Sequence, residues 1–433
     1  MMETVEESPR TKTFRTGPAL ALLAAINAVY FCSYFQRVGI PGTIFNQLQT
    51  EFQTSASGVA TLGAIFLYIY GFMQLPAGLL ADRFGAIRVF STGGIILNLG
   101  ALLFPLAPNL ILLYAARALI GLGASLIFAS IVKLLVSIFP QRMFAILLSI
   151  SLSVGYSGGL TGTLPFEWGA SHWGWRKFLL GVATAGTLAL GVSLVLYSRL
   201  RKMRGAGDLK MPGKKTRFSA VLKNPRIRTL VLVHATNFSI YFFLQAVMGK
   251  KILQDCFGMS SQDGSLFTFL MMFTTIVCLM LSGIVSRAIG NRRVPVIRLA
   301  TFAMLIGAGI LLLGIIFNFP VSLILLGYCL LAMSSLGSPI GNTLMKELNP
   351  PDVVGASVGI INTACYLSVA IFTSFSGWLI DRFKDTAEVT VDAIIYPRAA
   401  YLTIVSICLA CMAISFTVSF FLPETQGRHP EQM

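Results

Sequence analysis

Twelve apolar runs, each about long enough to cross 30 Å of hydrocarbon as a helix, follow one another along this 433-residue chain. They fall at about 18–41, 57–80, 88–107, 109–138, 143–165, 177–199, 229–253, 264–287, 294–317, 319–344, 353–380 and 397–422. Inside a bilayer the backbone must satisfy its own N–H and C=O groups, so such runs are helices or the strands of a closed barrel. These runs are continuous rather than alternating, which excludes a barrel. Only 12% of the residues are charged and 55% are hydrophobic, where a soluble domain carries about 25% charge. A water-soluble enzyme is excluded. The fold class read from the sequence is an all-α polytopic membrane protein with twelve transmembrane helices.

The net charge of +16 suggests a nucleic-acid partner until its position is considered. Residues 199–228 hold eleven Lys and Arg residues against the single Asp208. Between membrane helices such a loop follows the positive-inside rule and is suited to touching anionic lipid. No nucleic acid is expected as a partner. With both ends inside, the inner loops and tails hold 22 of the 33 basic residues. The outer loops hold seven: Arg176, Lys177, Lys250, Lys251, Arg382, Lys384 and Arg398. The expectation is a monomeric, multi-pass protein of a bacterial inner (plasma) membrane with both termini cytoplasmic. Residues 1–17 mix Glu and Arg before a run too long for a signal h-region, so the start reads as a tail. Seven scattered cysteines and three scattered histidines offer neither a disulfide framework nor metal-ligand spacing. No cofactor and no metal are expected, and the lack of a nucleotide-binding motif argues against direct ATP drive.

The chain repeats itself. Residues 78–88, GLLADRFGAIR, align with 283–293, GIVSRAIGNRR, at an offset of 205. Residues 26–37, INAVYFCSYFQR, align with 233–244, VHATNFSIYFFL, at an offset of 207. Both pairs occupy corresponding spans, which points to a six-plus-six duplication about the basic loop. The expected organisation is a tail 1–17, a six-helix bundle 18–198, a basic linker 199–228, a second bundle 229–422 and a tail 423–433. Parallel halves of this kind suit alternating access.

The first repeat carries a resemblance. Gly78-Leu79-Leu80-Ala81-Asp82-Arg83-Phe84-Gly85-Ala86-Ile87-Arg88 resembles the G-x-x-x-D-R-x-G-x-x-R signature of the major facilitator superfamily. Arg117 with Gly121 and Gly123, the Trp-Arg step at Trp175-Arg176, Glu347-Leu348-Asn349-Pro350 and Pro423-Glu424-Thr425-Gln426-Gly427 are similar to further patterns of that family. The resemblance implies two pseudo-symmetric six-helix bundles. Phe35-Gln36-Arg37 resembles a first-helix step of its organic anion and organophosphate branches (the anion:cation symporters and the organophosphate:phosphate antiporters), which implies that Arg37 meets an anionic substrate. Gln36 and Ala124 stand where proton symporters of those branches often carry acids, which weighs against proton symport. The glycines Gly78 and Gly85 are expected to turn the signature loop tightly and let helices approach. Asp82 is expected to accept backbone N–H groups at a helix N-terminus, or to pair with an Arg, and so to latch the halves. Arg83 and Arg88 complete this gating set. Arg287 replaces Asp82 in the second copy, so the latch is one-sided. The alternative is a loop that serves folding and orientation alone.

Helical spacing defines the candidate site. Asn27, Tyr30, Tyr34 and Arg37 share one face of span one, and His234, Asn237, Tyr241 and Gln245 share one face of span seven. Asn362 and Tyr366 share a face in span eleven. Two polar stripes in symmetry-related helices suggest a central cavity at the interface of the halves. An arginine at mid-membrane costs about 2.5–3.5 kcal/mol on insertion scales, so Arg37 needs a partner or a function. No Asp or Glu lies clearly inside any run, with Glu167 and Asp381 near outer ends, so an anionic substrate is left to supply the charge. Guanidinium suits carboxylate or phosphate by bidentate hydrogen bonds. Snorkelling of Arg37 to the outer surface is the alternative. Arg117 and Lys133 are further candidates to line the cavity. Lys250 and Lys251 either recruit anions from outside or snorkel. His234 is the one candidate for proton coupling.

The function expected is secondary active transport of a small organic anion, a carboxylate or phosphate ester, by alternating access, as exchanger or symporter. Uptake of a zwitterion such as an amino acid, efflux of an apolar or cationic compound, and a transporter-like ligand sensor stay open. The partners expected are the small-molecule substrate, the lipid bilayer and a possible coupling ion.

Overall fold

The computed structural model describes residues 16–204, 225–350 and 354–427. The expected tail 1–17 and the basic linker 199–228 therefore lie mostly outside the described residues, as do positions 428–433. Helices account for nearly all of the remainder, as a bilayer demands of the backbone. We number the twelve spans α1 to α12. The first half holds α1 (Thr16–Gly39), α2 (Ala56–Phe72 continuing as Gln74–Phe84), α3 (Ala86–Leu106), α4 (Leu110–Ile138), α5 (Gln141–Thr161) and α6 (Trp175–Arg204). The second holds α7 (Pro225–Phe243), α8 (Ser261–Ala288), α9 (Val294–Phe317), α10 (Val321–Ala332 continuing as Ser334–Glu347), α11 (Val354–Asp381) and α12 (Arg398–Ser419). Eleven helices are each long and apolar enough to cross a membrane, and the bent pair in α2 makes the twelfth.

The breaks have local causes. The two segments of α2 meet at 50° around Met73. Pro76 has no N–H for the Phe72 carbonyl and so opens the helix there. Pro339 sits just after the corresponding break at Met333 in α10. In α7 the helix widens into a π-turn over Leu244–Met248 before resuming as Gly249–Phe257. A Cβ on Gly249 would stand 2.1 Å from the Leu244 carbonyl oxygen, so this turn admits only glycine at that position. The sequence runs at 57–80, 229–253 and 319–344 predicted single spans and carried no mark of these departures beyond the prolines.

Short elements lie between the twelve runs. A short helix, Phe45–Glu51, follows α1, and a helical segment, Leu164–Trp173, extends α5. Between α11 and α12 a hairpin pairs β1 (Glu388–Val389) with β2 (Ile394–Ile395), antiparallel. Within the first half α3 packs on α4, and α1 packs on α5 and α6. Within the second, α9 packs on α10 and α12, and α8 on α10. The halves meet where α2 runs along α11 and where α5 approaches α8. Large apolar side chains such as Ile111, Met280 and Phe421 stand exposed on the outside, as a lipid-facing belt requires. With an even number of spans, the described ends at Thr16 and Gly427 fall on one face of the bundle.

Candidate functional site

Arg37 sits at the contact between the halves and is only 4% exposed. Its Nη2 donates to the Tyr70 hydroxyl at 2.7 Å, and its Nη1 donates to the Tyr366 hydroxyl at 3.0 Å. Tyr70 belongs to the first half and Tyr366 to the second. The guanidinium carbon lies 4.4 Å from the ring centroids of both Tyr34 and Tyr70, and 5.6 Å from that of Tyr366. Tyr70 is fourteen residues into α2, about 21 Å along its axis at 1.5 Å per residue. That depth places the guanidinium near mid-membrane, so Arg37 does not snorkel. Its Nε finds no hydrogen-bond partner among the described residues. Phenol rings hold the cation by their faces and by neutral acceptors, and no carboxylate among the described residues neutralises it.

Beside this cage lies a cavity of about 30 Å³, room for one or two waters. Tyr34 and Val38 line it from α1, and Tyr241 and Gln245 line it from α7. These are equivalent positions of the 207-residue repeat, so the duplication has built one wall from each half. Tyr156, Phe238 and Met272 close the sides, and serines 334, 335 and 338 of α10 supply hydroxyls. Gln245 Nε2 donates to the Thr268 carbonyl at 3.0 Å. Its Oε1 is buried without a partner among the described residues. A flipped amide would set two acceptors against each other, so the free atom is the oxygen.

The remaining stripe residues are near the cavity but turned to other tasks. Tyr30 stacks on Phe128 and meets Tyr34 edge-on. Asn27 is buried on the same face of α1. His234 lies behind Ser338, with Nε2 and Oγ 3.5 Å apart. Asn237 corrects the expectation of a cavity residue: it donates to Thr301 and accepts from Ser415, tying α7 to α9 and α12. Asn362 is half-buried in α11.

Arg117 and Lys133 also correct the sequence reading. Arg117 is 1% exposed and spends all three nitrogens on carbonyls, of Leu62, Gln36 and Ile40. It pins α1 and α2 to α4, and its face lies on Phe66. Lys133 points to the termini face, where it donates to the Gly78 carbonyl at 2.7 Å and pairs with Asp82. Asp82 therefore binds a lysine of its own half rather than an Arg or a helix end across the interface. Gly85 turns the signature loop with φ +89°, and Gly290 turns the second copy with φ +74°. Gly78 is not a close-approach residue, because a Cβ there would meet nothing within 4 Å. Arg83 lies over Phe84, and Arg88 begins the next helix. On the same face of the second half, Arg293 pairs with Glu347 at 2.9 Å, and Glu424 accepts from the backbone N–H groups of Arg293 and Val294.

The opposite face is closed by contacts that cross between the halves. Lys250 is 4% exposed and donates to Glu167 at 2.5 Å and to the Thr43 carbonyl at 2.6 Å. Lys250 and Lys251 do not snorkel: Lys251 is equally buried and pairs with Asp255 at 2.8 Å. Glu167 and Asp255 lie just beyond the apolar runs, at span ends, and are buried there with their lysines. The Tyr396 hydroxyl, beside the hairpin, accepts from Gln49 Nε2 at 2.9 Å and from the Ala56 N–H at 3.3 Å. Burial first, and the nearby Asp381 carboxylate next, hold this phenol above its ordinary pKa. Asp381 itself accepts the Ser57 N–H at 3.3 Å and so caps the N-terminus of α2 from the other half. Helix-end capping across the interface does occur, but by Asp381 on this face rather than by Asp82.

Tyr70, Glu167, Met272 and the α10 serines were not singled out as site residues from the sequence. One signal was available for Glu167. An acid and a lysine stood in apolar surroundings in different halves, and opposite buried charges seek each other.

The sequence model of the family described as Major Facilitator Superfamily matches residues 26–373 and 244–432. Over 376 residues, 82% of this chain and 86% of the relative, the chain is 23% identical to the uncharacterized transporter YybO of Bacillus subtilis (strain 168). Its fold is similar to that of a bacterial homolog to the human lysosomal transporter Spinster in an inward-facing, unoccupied conformation, with TM-score 0.72, 16% identity and 94% and 98% of the two chains covered. It is also similar to a mutant form of the nucleoside transporter NupG, with TM-score 0.74, 11% identity and 94% and 100% covered.

Proposed function

The chain belongs to the major facilitator superfamily, and from that premise we propose that this multi-pass membrane transporter moves a small organic anion by alternating access. One observation carries the anion: Arg37 is a buried mid-membrane cation, at the contact between two bundles, whose partners are all neutral. Desolvating a guanidinium there is costly, and a carboxylate or phosphate ester would offset that cost once per transport cycle. The charge distribution supports cytoplasmic termini in an inner membrane. The face closed by Lys250–Glu167 is then the outer one, and the described state is closed to the outside. The bundles 18–198 and 229–422 are the moving bodies, with Asp82, Lys133 and the signature loop at the inner gate.

Exchange and symport differ in what returns the empty carrier. Glu167, buried at the interface, is a second candidate beside His234 for a coupling proton. Uptake of labelled organic acids into proteoliposomes, with and without internal anion and with an imposed pH gradient, tests the proposal. Saturable uptake of an acid, lost in Arg37→Lys with insertion intact, is the expected result. Transport of neutral or cationic solutes alone would overturn it. Ligand binding without any flux would favour a sensor.

A further inference from the structure

Resting on the reading of Arg37 as an anion site, we propose that the substrate is a monoanion with a flat apolar body and a hydrogen-bond donor opposite its acid group. The charge comes from the buried and half-buried cations of the spans among the described residues. Lys133, Lys250 and Lys251 each face a carboxylate, and Arg117 is filled by three carbonyls. Arg37 alone of these keeps a free donor. A dicarboxylate or a phosphate dianion would leave a second negative charge buried without a partner, which costs several kcal/mol. A single carboxylate matches the site.

The acid group has a defined seat. Nε and Nη2 form the side-on fork of the guanidinium; Nε is empty, and Nη2 holds only the Tyr70 hydroxyl. A carboxylate reaching this fork displaces one phenol and makes two parallel charge-assisted bonds. The body has a seat as well. Tyr34, whose ring lies under the guanidinium, also lines the cavity, and Tyr156, Phe238 and Tyr241 continue that wall of rings. Stacked and edge-on rings favour a planar apolar body. At the far wall the buried Gln245 Oε1 waits for a donor. An unfilled buried acceptor costs about 1–3 kcal/mol, which a ligand hydroxyl or N–H would remove. The cavity of about 30 Å³ is smaller than such a ligand. Entry therefore requires the Tyr34 ring, which touches both the guanidinium and the cavity, to turn aside.

The test is thermal unfolding of the full chain in detergent with defined probes. These are 4-hydroxybenzoate, the longer 4-hydroxycinnamate, benzoate, phthalate, glycerol 3-phosphate, 4-hydroxybenzamide and uridine. Stabilisation is expected from the hydroxylated monocarboxylates, with benzoate at least about tenfold weaker. Neither dianion and neither neutral probe should act. Arg37→Lys should abolish the shift while leaving unliganded unfolding near that of the parent. Gln245→Leu should weaken the hydroxylated acids about tenfold and leave benzoate unchanged. Equal or stronger stabilisation by phthalate or glycerol 3-phosphate would overturn the monoanion and leave the anion site standing. Stabilisation by uridine or 4-hydroxybenzamide alone would overturn both, and no shift with any acid would overturn the inference.

Discussion

Lys250 of the second half donates to Glu167 of the first across 2.5 Å, with both side chains under 5% exposed. A charge pair this deep and this far apart in sequence joins two bundles at one point. Desolvation makes it a poor source of net stability, but removing one partner strands the other.

Glu167→Ala or Lys250→Ala should therefore lower the stability of the described state by about 3–5 kcal/mol. The paired change Glu167→Leu with Lys250→Met should cost much less than the sum of the singles. A double-mutant cycle from thermal unfolding in detergent checks this. Strictly additive losses would mean that the two groups do not act as a pair.

Arg37 and Arg117 should separate cleanly. Arg37→Lys keeps charge without the planar fork, so uptake falls at least about tenfold while expression and unfolding temperature stay close to the parent. Arg117→Leu removes three buried hydrogen bonds from a charged donor, each worth about 1.5–3 kcal/mol, so the unfolding temperature falls and the folded remainder keeps its substrate affinity. Weakened affinity in folded Arg117→Leu would return that residue to the site.

Asp82→Asn and Lys133→Gln should share one phenotype, because each removes half of the same pair. Turnover should slow several-fold while the substrate concentration at half-maximal uptake changes less than about twofold. Different effects of the two variants would show that Asp82 works through another group.

Gly249→Ala should close the π-turn, since its Cβ would fall 2.1 Å from the Leu244 oxygen. Straightening α7 would swing Gln245 away from the cavity. The expected result is inserted, folded protein with substrate affinity reduced about tenfold or more. Unchanged affinity would show that the turn does not position Gln245.

The twelve runs and the duplication were legible because lipid imposes one strong rule on the backbone, and length follows from bilayer thickness. Arg37 was conspicuous for a related reason: a charge stands out in an apolar run. Of its partners, Tyr366 stood out through its spacing from Asn362, whereas Tyr70 looks like any aromatic residue in a membrane helix and meets Arg37 only through tertiary packing. Helical spacing placed Asn237 beside Tyr241 but could not show that Thr301 and Ser415 claim it. Arg117 and Lys133 misled for the same reason. Carbonyls and a signature-loop acid, both remote in sequence, satisfy them.

The 50° bend at Met73 divides α2 into two rods. Its upper rod is anchored to the other half at Ser57 by Asp381 and carries Tyr70, while its lower rod carries Gly78 and Asp82. A straight α2 would transmit any tilt of one end to the other as a rigid lever. With an elbow between Tyr70 and Gly78, the signature loop has a degree of freedom of its own. Movement at one membrane surface then need not be read out at the other, and the carrier has the mechanical means to shut both doors at once.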